Sequence, residues 1–178
     1  MRTYIALLRG IGGKNTLPMK GLVELMEALG LSYVRTYIQS GNAIFRSKGM
    51  GPSELSQKIK TAIEKKYGFA PQVIILTPDE LSKAVASNPY REAEAEPKTL
   101  HLTFLASTPV SPDLTGLERI RKDTEQFTLK GKVFYFHAPE GVGRSKLFAR
   151  IEKSLGVPGT ARNWRTVCQV KAMVDEKG

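Results

Sequence analysis

Two short basic segments carry the side chains best suited to hold an anion, and the first of them runs from Arg9 to Asn15. It follows a hydrophobic stretch and combines three glycines with two cationic side chains. Backbone amides of a glycine turn beside Arg and Lys are a common means of binding phosphate. The same glycines would also serve a purely structural turn. We predict that this loop contacts an anionic ligand through Arg9, Gly10, Gly12, Gly13, Lys14 and Asn15.

The glycine loop is not a nucleotide-hydrolysis loop of the Walker A type. That sequence requires a wider glycine spacing and a hydroxyl directly after the lysine to reach magnesium, and Asn15 follows Lys14 here. The sequence therefore indicates anion binding at the loop without indicating ATP hydrolysis of that kind.

The second basic segment, Thr160 to Thr166, is predicted to open the last helix, with Thr160 as its N-cap. Two arginines three residues apart would then share one helix face. Trp164 could stack on a base, but its spacing to the following apolar residues favours a place in the core. The anion contacts predicted from this segment are Arg162, Asn163 and Arg165.

Two further places could contribute to a binding site. Arg144 and Lys146 fall in the first turn of a predicted helix, where cations oppose the helix dipole unless an anion or a carboxylate lies between them. A surface turn with no ligand explains them equally well. At a predicted hairpin tip, Gln39, Ser40 and Asn42 could hydrogen-bond a base or a sugar, although Asn is also what a tight hairpin requires.

Composition places the chain among globular proteins and excludes several classes of site. Of its 178 residues, 41% are hydrophobic and 25% charged, which is enough for a proper core. The single cysteine, Cys168, excludes an internal disulfide and a cysteine zinc cluster, and it favours a cytoplasmic location. His101 and His137 lie in predicted strands and pair with no acidic residue at a recognised spacing, so we predict no metal and no cofactor.

The chain has a net charge of +10, concentrated at its two ends. Residues 1–50 and 101–178 each carry +5, whereas residues 51–100 are neutral. This excess favours anionic partners if the basic segments meet in space, and otherwise a solvated lysine-rich surface. The only early apolar run, Tyr4 to Leu8, is too short to span a bilayer, so no membrane partner is expected.

The periodicity of apolar residues predicts the elements that carry these segments. The first 77 residues read as β-α-β-β-α-β, the order of a ferredoxin-like split unit. Thr77 to Glu80 has the pattern of a capping box with proline at the first helical position, which predicts a short helix to Ala86. The predicted strands lie at about 3–9, 32–38, 42–47 and 71–76, and the helices at 18–30 and 53–67.

The second half of the chain partly repeats this order after a polar, acidic, proline-bracketed linker at 87–98. The final strand of the repeat is not predicted, and a helix from Thr160 to Val174 stands in its place. We therefore predict an α+β fold of two ferredoxin-like subdomains, residues 1–86 and 99–178, the second ending in a helix. The elements predicted after the linker are a strand at 99–106, a helix at 112–122, a hairpin of 124–130 with 132–137, and a helix at 144–155.

Several strings of residues resemble a bacterial family known as domain of unknown function 1697. They are Tyr4 to Ile11, the following Gly-Gly-Lys-Asn, Leu17 to Lys20, Arg35-Thr36-Tyr37-Ile38-Gln39-Ser40-Gly41-Asn42, and Gly159 to Trp164 with Thr166-Val167. The resemblance covers nearly the whole chain. It implies a pair of ferredoxin-like subdomains, and it implies no particular activity.

Three functions from different classes remain open at the level of sequence. The first is binding of a phosphorylated small molecule or nucleotide at the basic loops. The second is nucleic-acid binding by the basic surface, which would depend steeply on salt. The third is an enzyme that acts on a phosphorylated substrate, for which the sequence offers no nucleophile or base.

Overall fold

The computed structural model describes residues 1–37 and 41–176, which form two four-stranded antiparallel sheets and six α-helices. The chain divides into two compact units. The first comprises Met1–Lys83 together with the chain from Val170 onward, and the second comprises Ala84–Gln169.

The first unit has the predicted β-α-β-β-α-β order. Its strands lie in the spatial order β2-β3-β1-β4, and every neighbouring pair is antiparallel. A third helix follows the last strand. The elements are β1 (Arg2–Arg9), α1 (Met19–Ala28), β2 (Ser32–Tyr37), β3 (Asn42–Ser47), α2 (Pro52–Tyr67), β4 (Gln72–Leu76) and α3 (Pro78–Ala86).

Local sequence signals account for the ends of these helices. Helix α2 has proline at its first position and ends at Gly68, whose left-handed backbone (φ 81°) stops the helix. The predicted capping box is confirmed at α3. There the Thr77 amide donates to a Glu80 carboxylate oxygen (2.8 Å), and the Glu80 amide donates to Thr77 Oγ1 (3.2 Å).

Strand β1 is buried on both sides, as its continuous apolar run predicts. Tyr4, Ala6 and Leu8 lie on the face that packs with helices α1 and α2 in one hydrophobic core. Ile5 and Leu7 lie on the other face and are also buried. Strand β1 is therefore held from both sides, and its last residue, Arg9, is still paired with Gln72 of β4.

The chain from Val170 onward completes the first unit. The Arg35 guanidinium in β2 forms an ion pair with Glu176 (Nη1 to Oε2, 2.9 Å) and donates to the Met173 carbonyl. Val174 and Ile44 line a shared cavity of about 250 Å³ beside this pair.

The second unit has the same order of elements and the matching strand order β6-β7-β5-β8. Helices α4 and α5 pack with one face of its sheet around Phe134, Phe136 and Leu147. Its elements are β5 (Leu100–Leu105), α4 (Leu114–Ile120), β6 (Gln126–Lys130), β7 (Val133–His137), α5 (Lys146–Leu155) and β8 (Gly159–Asn163), followed by α6 (Trp164–Asp175).

The prediction of a helix from Thr160 is wrong in its first part. Residues Gly159–Asn163 form β8, which pairs with β5, and the helix begins only at Trp164. Thr160 is fully buried opposite Phe104, so it does not cap the helix. Asn163 takes that role, because its Oδ1 accepts from the Thr166 amide (3.0 Å). Ladder hydrogen bonds to β5 outweigh the capping preference of a threonine.

The stretch predicted as a linker, 87–98, holds short 3-10 helices at 91–95 and 97–99. It contacts the second sheet through Tyr90, whose hydroxyl lies 2.7 Å from Thr128 Oγ1. It also accepts a hydrogen bond at the Ser87 carbonyl from Lys130 Nζ (2.7 Å). The division into subdomains at residues 87–98 stays a prediction.

Candidate functional site

The glycine loop that follows β1 is a tight turn whose backbone conformation favours glycine at three positions. Gly10, Gly12 and Gly13 all have positive φ, at 88°, 117° and 58°. Gly12 and Asn15 exchange two backbone hydrogen bonds of 3.0 Å, which closes the turn on itself. The three glycines are therefore required by the backbone, as residues with a Cβ are strained in this region.

The loop leaves backbone donors uncommitted. The Asn15 side-chain amide is used internally, because its Nδ2 donates to the Gly10 carbonyl (3.0 Å). Within the described part of the chain, no hydrogen bond uses the amides of Ile11, Gly13 or Lys14. These donors are available to a ligand or to water.

Two cationic side chains flank the open amides. Lys14 is exposed at the tip of the turn. Arg9 is exposed at the end of β1, where its backbone pairs with Gln72 of β4. A local excess of positive charge beside uncommitted amides suits an anionic group.

The structure brings the glycine loop next to the β2-β3 hairpin tip. The Leu8 amide donates to the Gly41 carbonyl (2.8 Å). A Cβ on Gly41 would lie 2.8 Å from Leu8 Cβ and 2.9 Å from Ile11 Cδ1, so only glycine allows this approach. The glycine loop and Gly41 therefore lie side by side at this end of the first sheet.

Of the three ligand contacts predicted at the hairpin tip, only Asn42 is among the described residues. Asn42 is buried, and its Nδ2 donates to the Tyr37 carbonyl (3.0 Å), so its side chain holds the hairpin together. Gln39 and Ser40, the other two predicted residues, lie outside the described residues.

A buried carboxylate that the sequence analysis did not identify, that of Glu125, lies against the N-cap of α5. Arg144 and Lys146 are exposed there, on either side of the N-cap Ser145. Ser145 Oγ accepts from the Phe148 amide (3.1 Å) and donates to Glu125 Oε2 (2.6 Å). Glu125 is 1% exposed. This carboxylate supplies a negative charge at the helix N-terminus, which accounts for neighbouring cations.

The three residues predicted from the second basic segment belong to the second unit. Arg162 lies in β8 and Arg165 in α6, so they do not share a helix face. Asn163 is committed to capping α6. Burial lowers the pKa of Arg162 to about 10, so its guanidinium is still charged at neutral pH. Trp164 is buried, in line with the core placement that its spacing favours.

The histidine of β5 packs against an aromatic ring of α5. The His101 ring lies edge-on to Phe148, with centroids 5.5 Å apart, and within the described residues its Nδ1 forms no hydrogen bond. Burial lowers the pKa of His101, which favours the neutral imidazole. Residues 1–37 and 41–176 contain no group of three or more His, Cys, Asp or Glu side chains placed to hold a metal ion. None of the helices described there has the length and apolar character needed to cross a bilayer.

Comparison with known proteins gives a family and a fold. The family model described as "Protein of unknown function (DUF1697)" matches residues 1–135. Among solved structures, the conserved bacterial protein SP0830 from Streptococcus pneumoniae is similar over 99% of this chain and 99% of its own, with 24% identity and a TM-score of 0.74. Among curated proteins, none matches this chain significantly.

Proposed function

Since this chain belongs to the DUF1697 family of proteins of unknown function, we propose a function from its own geometry. The proposal is that the glycine loop binds a phosphate-bearing small molecule or nucleotide. The observation that carries it is the set of uncommitted amides at Ile11, Gly13 and Lys14 beside two exposed cations.

The physical argument rests on how phosphate is solvated. A phosphate group has several strong acceptor oxygens, and backbone amides held in a fixed turn replace its water without reorganising. The Gly12–Asn15 hydrogen bonds and the Asn15 to Gly10 contact hold the turn in that form. Lys14 and Arg9 then add the charge that binds a dianion.

The described residue that follows Gln39 and Ser40 in the sequence is Gly41, which packs against Leu8 and Ile11 of the glycine-loop region. We propose that Gln39 and Ser40 form hydrogen bonds with the part of the ligand that is not phosphate, and so provide selectivity. The contacts predicted in the second unit stay predictions; they are Arg144, Lys146, Arg162, Asn163 and Arg165.

We also infer that both units are ferredoxin-like. The support is that each has the order β-α-β-β-α-β, and that the first strand of each lies beside the third and the fourth. Many unrelated functions occur on this arrangement, so the inference bears on fold alone.

Nucleic-acid binding is the second candidate, favoured by the net charge of +10 and a pI near 9.8. It predicts contacts spread over many Lys and Arg side chains. The glycine loop would then be one contact among many.

The test is a thermal-shift panel with pyrophosphate, nucleotides, sugar phosphates and short oligonucleotides at two salt concentrations. A ligand that binds only the folded state raises the melting temperature, and Lys14→Gln should reduce that rise. Lys98→Gln changes an equally exposed lysine in the second unit and serves as the matched control. A panel in which no phosphate compound shifts the melting temperature, or in which both variants respond as the unaltered protein does, overturns the proposal.

A further inference from the structure

A separate cavity lies at the other end of the first sheet. It has a volume of about 370 Å³ and is lined in part by Arg2, Tyr4, Ser47, Gly49, Gly51 and Pro52. Cavities that bind small molecules in proteins start at about 300 Å³. This one is therefore large enough for a phosphorylated compound of modest size.

The sheet and helix α2 define this cavity together. Arg2 and Ser47 are register partners at the ends of β1 and β3, on the same face as Tyr4 and Phe45. That face is the one that packs against α2. The Tyr4 hydroxyl donates to the Met50 carbonyl (3.1 Å), which ties the start of α2 to the sheet beside the cavity.

Ser47 is a buried polar side chain with nothing to bind among the described residues. Its residue is 2% exposed, and its Oγ is buried without a hydrogen-bond partner there. A buried hydroxyl that forms no hydrogen bond destabilises a fold, and native proteins carry few of them. Ser47 lines the cavity, and a ligand bound there would satisfy this hydroxyl once the side chain rotates about its Cα–Cβ bond toward it.

The N-terminus of α2 contributes positive potential at the same place. The helix is 16 residues long, and its N-cap is Gly51, which has no side chain to accept from the first amides. Pro52 takes the first position, so the amides of Ser53 and Glu54 are the first donors. The Glu54 carboxylate opposes an anion, but it is paired with Lys58 (Oε1 to Nζ, 3.1 Å).

Arg2 adds a cationic side chain to the polar groups at this cavity. Arg2 is exposed at the mouth of the cavity, and its guanidinium forms no ion pair within the described part of the chain. Lys58 Nζ lies 3.4 Å from the sulfur of Met50, another residue that lines the cavity. A guanidinium, a hydroxyl and helix amides together match the oxygens of a phosphate group.

We propose that this cavity binds the phosphate group of a small phosphate ester, with Arg2 and Ser47 as contacts at the N-terminus of α2. The site is independent of the glycine loop. Arg9 lies seven steps along the extended strand from Arg2, which is about 23 Å at the usual rise. One small ligand cannot occupy both places.

The experiment is a titration of the ¹⁵N-labelled protein with inorganic phosphate, then with glucose 6-phosphate, followed by amide chemical shifts. We expect saturable shifts at residues 47–54. Arg2→Gln, which changes an exposed side chain, should weaken binding about tenfold, as expected for loss of a charge-assisted hydrogen bond. Lys98→Gln, which changes an exposed cation outside both proposed sites, is the matched control and should leave these shifts unchanged.

Ser47→Ala separates a ligand contact from a structural role. Because the hydroxyl has no partner among the described residues, its removal should leave the melting temperature without phosphate unchanged or higher. It should also reduce the phosphate-induced shifts. Shifts confined to residues 10–15 would overturn this site while supporting the glycine loop. An absence of shifts at residues 47–54, or unaltered binding by both Arg2→Gln and Ser47→Ala, also overturns it.

Discussion

The contacts that charged and polar side chains of this protein make depend on their burial, which the neighbouring sequence does not reveal. Glu125 stands in a run of charged residues, a pattern typical of a protein surface. It is nevertheless buried, and its carboxylate accepts a hydrogen bond from Ser145, the N-cap of α5. Arg162 was predicted as an anion contact on a helix face and is half-buried in a strand. No local pattern distinguishes such residues from exposed ones, because their burial depends on strands that are distant in the sequence.

His101 should make the stability of the protein depend on pH. Burial lowers its pKa in the folded state, so the unfolded chain takes up the proton first as the pH falls below about 6.5. The free energy of unfolding should therefore decrease between pH 7 and 5, by at most about 1.4 kcal/mol per pH unit for one proton. Urea denaturation at a series of pH values measures this.

His101→Phe is the matched variant, because it keeps an aromatic ring against Phe148. It should flatten the stability profile between pH 7 and 5 relative to the unaltered protein. An identical slope in the two proteins would contradict the assignment to His101.

At the scale of elements, close approach of the hairpin tip to β1 shapes the surface that carries the glycine loop. Gly41→Ala should destabilise the protein by about 2–4 kcal/mol, from positive-φ strain together with overpacking against Leu8 and Ile11. Gly131→Ala is the control at the other hairpin, where φ is also positive but the space is open. It should cost only about 1–2 kcal/mol. Equal losses in chemical denaturation would show that the contact with β1 is unimportant.

The N-cap of α5 supports a second testable expectation. Ser145→Ala removes the hydrogen bond to the Phe148 amide and leaves a buried Glu125 oxygen without its donor. We expect a loss of about 2–4 kcal/mol in the free energy of unfolding. Ser107→Ala, at an exposed loop position, should change it by less than about 0.5 kcal/mol. A Ser145→Ala protein as stable as the control would mean that the Ser145–Glu125 contact contributes nothing.

Elements with strong local signals were predictable, and those that depend on distant pairing were not. Thr77-Pro78-Asp79-Glu80 and Gly68 marked the ends of helices correctly, since caps act within one turn. Strand β8 was missed because Gly-Thr-Ala-Arg-Asn has no alternation and directly precedes a helix. Its pairing with β5, more than fifty residues earlier, makes it a strand. At the candidate site, sequence marked the glycines of the loop but not the contact between Gly41 and Leu8.

At the scale of the whole molecule, net charge is the property that best separates the two candidate functions. Binding to one loop involves few ion contacts, so the affinity for pyrophosphate should fall by less than about tenfold between 50 and 200 mM salt. A basic surface with six to ten phosphate contacts would instead lose roughly 10³–10⁵ in affinity for an oligonucleotide. Isothermal titration at several salt concentrations measures both. A steep loss for pyrophosphate itself would contradict binding at a single loop.

The same order of elements in both units, with similar strand order, shows that one topology can carry different surfaces. In the first unit the turn after the first strand is a glycine loop with three positive-φ residues. In the second unit, the stretch after β5 has two prolines, Pro109 and Pro112, and leads into α4 capped by Asp113. The anion-binding function proposed for the glycine loop thus lies in a connection that differs between the two units.

The return of the chain from Val170 to the first unit has a consequence for its synthesis. On the ribosome, the first 83 residues emerge well before the segment that supplies Met173, Val174 and Glu176 to the same unit. About 86 residues separate the two parts, which takes roughly 4–17 seconds at typical rates of translation. During that interval Arg35 lacks the partners that it has in the finished protein. The first unit therefore gains its last stabilising contacts only after the whole second unit has been synthesised, although its own four strands are made first.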